Sequence, residues 1–140
     1  MPTAGDNTRV KRRLPRLSRS APLWKAYERQ VLSELTERYR GVATVTYDER
    51  GRQRLRGRHS GILRQIDVLV RGRLDDDLPD GVMIVDCKLR GRKVTVEDVE
   101  KFAGMLADVD ANIGLLVASK GYAAPAKRRA MGFETLRLES

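Results

Sequence analysis

The sequence predicts a single α/β domain in which a central mixed β-sheet is flanked by helices on both faces. Its 140 residues are enough for one hydrophobic core and too few for two. Apolar residues recur with helical spacing in some segments, whereas shorter segments alternate or run continuously, as strands do. Because strands and helices alternate along the second half of the chain, crossover connections should place helices on both sides of the sheet.

We predict that residues 1–21 form a basic, disordered arm and that residues 22–140 form the domain. The arm is rich in Arg, Ser and Pro and has no periodicity, so it can bury little apolar surface. Residues 1–20 carry a net charge of +5, which is more than half of the total of +9. So basic a chain favours an anionic partner, most simply a nucleic acid or a membrane surface.

The first half of the domain is predicted to contain one helix and three strands. The helix begins after Pro22, because the apolar residues of 22–39 fall on one side at about 100° per residue. Glu28 falls in the middle of this apolar stripe. The arginine-rich segment 48–61 is predicted to be a hairpin tip or loop. Strands are predicted at 41–48, 62–70 and 82–89.

The second half is predicted to continue as helix, strand, helix and strand. Apolar residues in 95–109 recur at helical spacing, and Thr95 can cap the amino end of that helix. A continuous apolar run at 113–119 predicts a strand that is buried on both faces. The last two elements are a short helix at 124–132 and an alternating strand at 134–139.

Cysteine content and hydropathy limit the class of protein. The single cysteine, Cys87, allows no intrachain disulfide and no cysteine-based zinc cluster, which favours a reducing compartment. No segment approaches the roughly 20 apolar residues of a membrane span, and none has the apolar run of a signal peptide. We therefore expect a soluble, cytoplasmic protein that does not associate with membranes.

The end of the third predicted strand carries the first candidate for chemistry. Side chains two apart on a strand share a face, so Asp86 and Lys88 point the same way and Cys87 points oppositely. By the same rule Gln65 and Asp67 share a face of the preceding strand. Consecutive strands are usually neighbours, so Asp67 and Asp86 can meet on one side of the sheet.

Two adjacent carboxylates repel each other, and a hard divalent cation is the simplest group that stabilises both. Carboxylates, a backbone carbonyl and waters describe a magnesium site. Lys88 could orient or deprotonate a water there, or neutralise charge that grows on a phosphate. Glu28 would be a third carboxylate in need of a partner at the edge of the core.

Plainer roles remain open for the same residues. Asp86 and Lys88 could form an exposed ion pair at a strand end, worth about 0 to 1 kcal/mol. Glu28 could pair with an arginine, and Gln65 could make a structural hydrogen bond rather than contact water or DNA. Lys120 follows the buried strand at 113–119 and could contact a phosphate.

The motifs together resemble the PD-(D/E)xK nuclease superfamily and, within it, Mrr-type restriction endonuclease-like proteins. The likeness covers roughly residues 24–138 and rests on "YERQVLSEL", "SGILRQIDVLV", "VMIVDCKLRGRKVTVEDVEKFAGMLADVDANIGLLVASKGY" and "APAKRRA". It implies a restriction endonuclease-like fold. It also implies that Asp67, Asp86 and the Cys87 backbone carbonyl bind the metal. Lys88 would then activate water or stabilise charge, with Glu28 in support. We also predict Gln65 as a site residue, in contact with the metal-bound water or the DNA.

The resemblance therefore predicts a DNA endonuclease that depends on Mg²⁺, for which Mn²⁺ could substitute. Two alternatives stay open: an inactive nucleic-acid-binding module with the same fold, and a nuclease that acts on branched DNA or RNA. Cleavage of both strands of a duplex would need two active sites, which a homodimer would supply.

Basic side chains outside the acidic cluster are candidates for phosphate contact. They are not interleaved with aromatic residues, which favours backbone contacts to duplex DNA over stacking on single strands. Such binding should weaken steeply as the salt concentration rises. The predicted nucleic-acid-binding residues are Arg52, Arg54, Arg56, Arg58, Arg64, Arg90, Arg92 and Lys120.

Overall fold

The computed structural model describes residues 23–88 and 91–139, which form three helices and seven strands. The predicted arm at 1–21, Pro22 and Arg90 lie outside the described residues. In chain order the elements are α1 (Leu23–Arg38), β1 (Ala43–Tyr47), β2 (Arg54–Arg56), β3 (Leu63–Gln65), β4 (Val68–Gly72), β5 (Gly81–Lys88), α2 (Val96–Val109), β6 (Ile113–Ala118), α3 (Ala124–Ala130) and β7 (Leu136–Glu139).

Five of the strands form a mixed sheet in the order β1-β4-β5-β6-β7. The β1, β4 and β5 strands are antiparallel neighbours, whereas β5, β6 and β7 run parallel to one another. The central strand β5 buries Met83, Ile84 and Val85, which face both sides of the sheet in turn. Burial on both faces explains why β5 and β6 are nearly continuous apolar runs.

Each face of the sheet is covered by helix. Val31 and Leu35 of α1 pack on one face against Val70, Val85 and neighbouring strand residues. On the other face, α2 and α3 pack against the sheet, and this second core contains Ile84, Val99, Phe102, Leu106, Leu116, Ala126 and Ala130. The predicted fold class, a mixed sheet with helices on both faces, is confirmed.

The start of α2 has the predicted cap. The Thr95 side chain accepts a hydrogen bond from the backbone N–H of Asp98, and the Asp98 carboxylate accepts one from the backbone N–H of Thr95. This reciprocal arrangement satisfies two N–H groups that helix geometry leaves without partners.

The strand predicted at 62–70 is instead two strands, and this prediction was wrong. Ile66 packs in the core under α2 and α3, whereas Val68 packs in the core under α1. Side chains two apart on a regular strand would share a face, so the chain must turn between these two residues. The bend lies at Asp67, and β3 pairs with β2 in a separate two-stranded sheet.

The segment at 48–61, predicted as a hairpin tip or loop, contains β2. The backbone groups at the bend are satisfied by Gln53: its carbonyl accepts from Ile66 N–H, and its side-chain amide donates to the carbonyls of Thr46 and Ile66. Within the described ranges, none of the helices is both long enough and apolar enough to cross a membrane.

Candidate active site

The five predicted catalytic side chains line one cleft of about 730 Å³ at the carboxyl end of β5. They come from separate parts of the chain, so only the fold brings them together. Their positions are α1 for Glu28, the end of β3 for Gln65, the bend before β4 for Asp67, and β5 for Asp86 and Lys88.

Asp67 and Asp86 are direct neighbours in this cleft. Burial, followed by the hydrogen bond and the negative charge of Asp86, raises the pKa of Asp67 from an ordinary 3.8 to about 7. The backbone N–H of Cys87 donates to Asp67 Oδ2 at 2.9 Å, which acts in the opposite direction. Asp67 therefore ionises less readily than a free carboxyl group, chiefly because it is buried.

Lys88 lies 3.2 Å from Asp86, measured from Nζ to Oδ2. The strand-end ion pair that the sequence left open as an alternative is therefore formed. Its side chains are only 33% and 22% exposed, because the pair lies in the cleft rather than on open surface. This placement makes the ammonium group available to any anion that enters the cleft.

Glu28 enters the cleft from α1 and is held by a residue that the sequence did not single out. The Tyr47 hydroxyl at the end of β1 donates a hydrogen bond to Glu28 Oε1. Burial first, and then the contact with Glu28, raises the pKa of Tyr47, so the phenol stays protonated and remains a donor. Lys25 Nζ also lies 3.8 Å from Glu28. Strand alternation placed Tyr47 with Val45, but sequence could not show that this face meets α1.

The Cys87 side chain lies on the face of β5 opposite to Asp86 and Lys88, as predicted. Its side chain packs with the apolar residues under α1, among them Val85 and Val117. Burial raises the pKa of the Cys87 thiol, which keeps the sulfur neutral and argues against a nucleophilic role. Its backbone is the part that faces the acids, as the hydrogen bond to Asp67 indicates.

The chemistry of these donors fits a hard divalent cation. Asp67 and Asp86 offer two carboxylates, and a cation beside them would stabilise the ionised form of Asp67, which burial and then Asp86 disfavour. Within 23–88 and 91–139, no cluster of three or more His, Cys, Asp or Glu side chains is arranged to hold a metal. Two carboxylates, a backbone carbonyl and several waters suit Mg²⁺, which often keeps part of its water shell.

Three further cations, which were not in the predicted set of nucleic-acid-binding residues, line the cleft: Lys25, Arg50 and Lys101. Lys101 follows Asp98 by three residues on α2, and Asp98 and Met105 line the same cleft. That helical spacing was visible in the sequence and could have identified Lys101. Asp48, Glu49 and Asp98 also line the cleft, so these cations are interspersed with acids.

The predicted nucleic-acid-binding residues fall into three groups. Arg54, Arg56 and Lys120 are exposed, and Lys120 lies in the turn after β6 without lining the cleft. Arg90 lies outside the described residues. The remaining arginines pair with acids: Arg52 with Asp48, Arg58 with Asp110, Arg64 with Asp108 and Arg92 with Asp98.

Solved structures with similar folds were found at low sequence identity. The protein of unknown function AF1548 is 14% identical, with a TM-score of 0.63 over 82% of this chain and 56% of that one. The DNA modification-dependent restriction endonuclease AspBHI is 14% identical, with a TM-score of 0.48 over 92% of this chain and 37% of that one. MspJI restriction endonuclease, in complex with a 27-mer oligonucleotide, is 15% identical, with a TM-score of 0.43 over 99% of this chain and 32% of that one.

This chain thus spans a little over half of AF1548 and about a third of the two restriction enzymes. No curated protein matches it by sequence. A family model, Mrr_cat, described as restriction endonuclease, matches residues 46–139, which include four of the five predicted catalytic residues and most of the sheet. The chain therefore belongs to the Mrr-type restriction endonuclease family.

Proposed function

We propose that this protein is a metal-dependent endonuclease that hydrolyses phosphodiester bonds in DNA, with Mg²⁺ as its metal and Mn²⁺ as a substitute. The observation that carries the proposal is the convergence of Glu28, Gln65, Asp67, Asp86 and Lys88 on one cleft. Membership of a restriction endonuclease family supports the same reaction class.

In this proposal Asp67, Asp86 and the Cys87 carbonyl hold the cation. A bound divalent cation would supply Lewis acidity at the phosphoryl group and lower the pKa of water to within reach of a protein base. The protein contributes a rigid base for these ligands, because Asp86 and Cys87 belong to the central strand β5. The Cys87 N–H fixes the Asp67 carboxylate at the same point.

Lys88 and Glu28 have separate roles beside these ligands. Lys88 Nζ donates hydrogen bonds to phosphate oxygens as their negative charge grows in the transition state. To do so, the Lys88 ammonium group gives up its contact with Asp86, which lies 3.2 Å away, and contacts the phosphate of the substrate. Glu28, held by Tyr47, accepts a hydrogen bond from the attacking water and orients it. Gln65 contacts the same water or the DNA at the mouth of the cleft.

Duplex DNA is the proposed substrate because basic side chains lie among and beside the acids of the cleft. Lys25, Arg50 and Lys101 line the cleft, and Arg54 and Arg56 are exposed beside it. Such cations attract a polyanion and offset the repulsion between its phosphates and the two carboxylates. Binding should accordingly weaken as the salt concentration rises.

Plasmid cleavage tests the proposal. With Mg²⁺ present, Lys88→Ala and Asp67→Ala should each reduce cleavage by at least about 100-fold, as expected when charge stabilisation of a transition state is removed. Lys127→Ala and Asp76→Ala remove the same charges from exposed positions outside the cleft and should cleave like the wild type. Undiminished cleavage by both cleft variants would show that the site is elsewhere.

The products and substrates of the same assay address the alternatives. A single copy should nick a supercoiled plasmid, whereas a homodimer with two active sites should also give linear product directly. Salt-dependent binding without turnover under any divalent ion would favour a binding module. Faster cleavage of a four-way junction or of RNA than of duplex DNA would assign the protein to those substrates.

A further inference from the structure

A two-stranded ribbon projects beside the cleft and is formed by β2, β3 and the turn at 57–62 that joins them. In its register Arg54 lies opposite Gln65, Leu55 opposite Arg64, and Arg56 opposite Leu63. The residues in each pair share a face, so the ribbon has two chemically different sides. The outer face carries Arg54, Arg56, Leu63 and Gln65, which are all exposed.

The inner face holds the ribbon against the domain. Leu55 packs on the core under α2 and α3. The buried Asp108 of α2 accepts hydrogen bonds from Ser60 N–H, from the Ser60 hydroxyl and from Arg64 Nε, at 2.6 to 2.8 Å. These contacts, the Ser60 hydroxyl above all, hold the pKa of Asp108 well below its usual range. Arg64 is therefore engaged in fixing the ribbon rather than in meeting a ligand.

The base of the ribbon is also held by hydrogen bonds. The Gln53 backbone carbonyl accepts a hydrogen bond from the N–H of Ile66 at 3.0 Å. The Gln53 side-chain amide donates hydrogen bonds to the carbonyls of Thr46 and Ile66. A two-stranded ribbon in isolation is marginally stable, but anchors at both ends remove most of its freedom. The outer face is thus presented in one orientation relative to the cleft, which Gln65 also lines.

The outer face has the charge and shape of a surface for DNA. Within the described part of the chain, the guanidinium groups of Arg54 and Arg56 contact only backbone carbonyls and pair with no carboxylate. Their Cα atoms are about 6.6 Å apart along a strand, close to the rise of about 6.8 Å for two base pairs. Beside them Ile62 and Leu63 are 54% and 57% exposed, which is unusual for large apolar side chains.

We propose that the outer face of this ribbon enters the major groove of duplex DNA next to the cleft. Arg54 and Arg56 contact guanine edges there, and Leu63 contacts the methyl group of thymine. The proposal rests on the proposed function only in taking DNA as the ligand; it concerns binding and not cleavage.

The dimensions of the ribbon select this groove among nucleic-acid surfaces. The major groove of B-form DNA is about 12 Å wide and admits a two-stranded ribbon, whereas the minor groove is about 6 Å wide. The major groove of A-form RNA is too narrow for protein side chains to read. Residues 51–65 contain no Phe, Tyr or Trp on which the bases of a single strand could stack.

Fluorescence anisotropy of the full chain tests the binding surface. A labelled duplex of about 20 base pairs is titrated in EDTA, where no cleavage occurs. Arg54→Gln/Arg56→Gln should weaken binding by at least about tenfold, since a bidentate contact to guanine contributes about 1 to 3 kcal/mol. Arg71→Gln/Arg73→Gln removes the same charge, with the same spacing, at the end of β4 remote from Asp67. It should weaken binding by less than about threefold, as expected for unspecific electrostatics.

Modified duplexes test which groove is contacted. Replacing guanine by 7-deazaguanine removes a major-groove acceptor, and should weaken binding by the wild type but not by Arg54→Gln/Arg56→Gln. Replacing thymine by uracil removes the methyl group, and should weaken binding by the wild type but not by Leu63→Ser. Leu63→Ser leaves both arginines in place, so it keeps the test valid if the double variant unfolds.

Any of three results would overturn the proposal. The two double arginine variants could lose equal affinity for the duplex, neither base modification could affect binding by the wild type, or double-stranded RNA could bind as tightly as duplex DNA. The catalytic proposal fails separately. If the wild type shows both effects of base modification on binding but cleaves no DNA with any divalent ion, the proposed role of the ribbon stands and the proposed nuclease activity fails.

Discussion

Asp67→Asn should make the metal-free protein more stable while it removes a proposed metal ligand. In the folded wild type, burial and the adjacent Asp86 oppose ionisation of Asp67. Asn has nearly the same shape and can still accept the hydrogen bond from Cys87 N–H, but it carries no charge. The substitution therefore removes a repulsion and leaves the packing unchanged.

The raised pKa of Asp67 sets the size and the pH range of this effect. A tenfold change in a proton-binding constant corresponds to about 1.4 kcal/mol, so a pKa raised from 3.8 to about 7 corresponds to about 4 kcal/mol. Between these pH values the folded state holds a proton that the unfolded state has released. Wild-type stability should therefore fall as the pH rises through this window, and the deficit should be complete above pH 7.

Urea unfolding in EDTA at pH 5 and pH 8 measures the difference. The free energy of unfolding of Asp67→Asn should exceed that of the wild type at both pH values, and the gap should widen by about 3 kcal/mol between them. Asp98 has a lowered pKa and stabilises both proteins equally above acid pH. Its contribution to the free energy of unfolding therefore cancels when the two proteins are compared. Asp80→Asn removes the same charge from an exposed loop and should show no widening gap.

Adding Mg²⁺ should act in the opposite direction on the difference in stability between the two proteins. A ligand that binds only the folded state stabilises it in proportion to its affinity, so Mg²⁺ should stabilise the wild type more than Asp67→Asn. The reasoning is refuted if the gap in EDTA stays constant from pH 5 to pH 8, or if Asp67→Asn is the less stable protein at pH 8.

Two further predictions concern residues that position others. Tyr47→Phe should reduce cleavage by about tenfold or more with the fold intact, because Glu28 loses its donor. Circular dichroism and plasmid cleavage check this, and wild-type activity would contradict it. Gly57→Ala should weaken duplex binding like the loss of Arg54 and Arg56, because a Cβ there would lie 2.0 Å from Asp108 Oδ2. Gly104→Ala has no atom within 4 Å of its added Cβ and should bind normally; equal binding by both would contradict the prediction.

The main sheet and the acidic centre were predictable because they depend on local periodicity. The period of two on β5 placed Asp86 and Lys88 on one face and Cys87 on the other, and burial of Cys87 among Val85 and Val117 agrees. Adjacency of successive strands then brought Asp67 beside Asp86, as the β4–β5 pairing does. Neither step required knowledge of distant contacts.

The roles of the arginines could not be predicted, because they depend on contacts between distant parts of the chain. Arg54 and Arg64 are equally basic in the sequence and lie in the same ribbon. Arg64 faces inward and meets Asp108, which lies 44 residues later on α2. Arg54 faces outward and meets only nearby carbonyls. Composition therefore predicted an anionic partner, whereas the ribbon register was needed to separate anchoring arginines from exposed ones.

The bend at Asp67 is where the site and the ribbon are joined. Ile66, Val68 and Val70 stand at every second position in the sequence, so a period of two could not reveal that Ile66 and Val68 pack on opposite faces. That turn carries Asp67 to the edge of the cleft and sends β3 away from the main sheet. Because Gln53 holds the carbonyls on this bend, the direction of the ribbon and the position of Asp67 are set by the same contacts. A duplex seated on the ribbon would therefore be held in a fixed position relative to the acids.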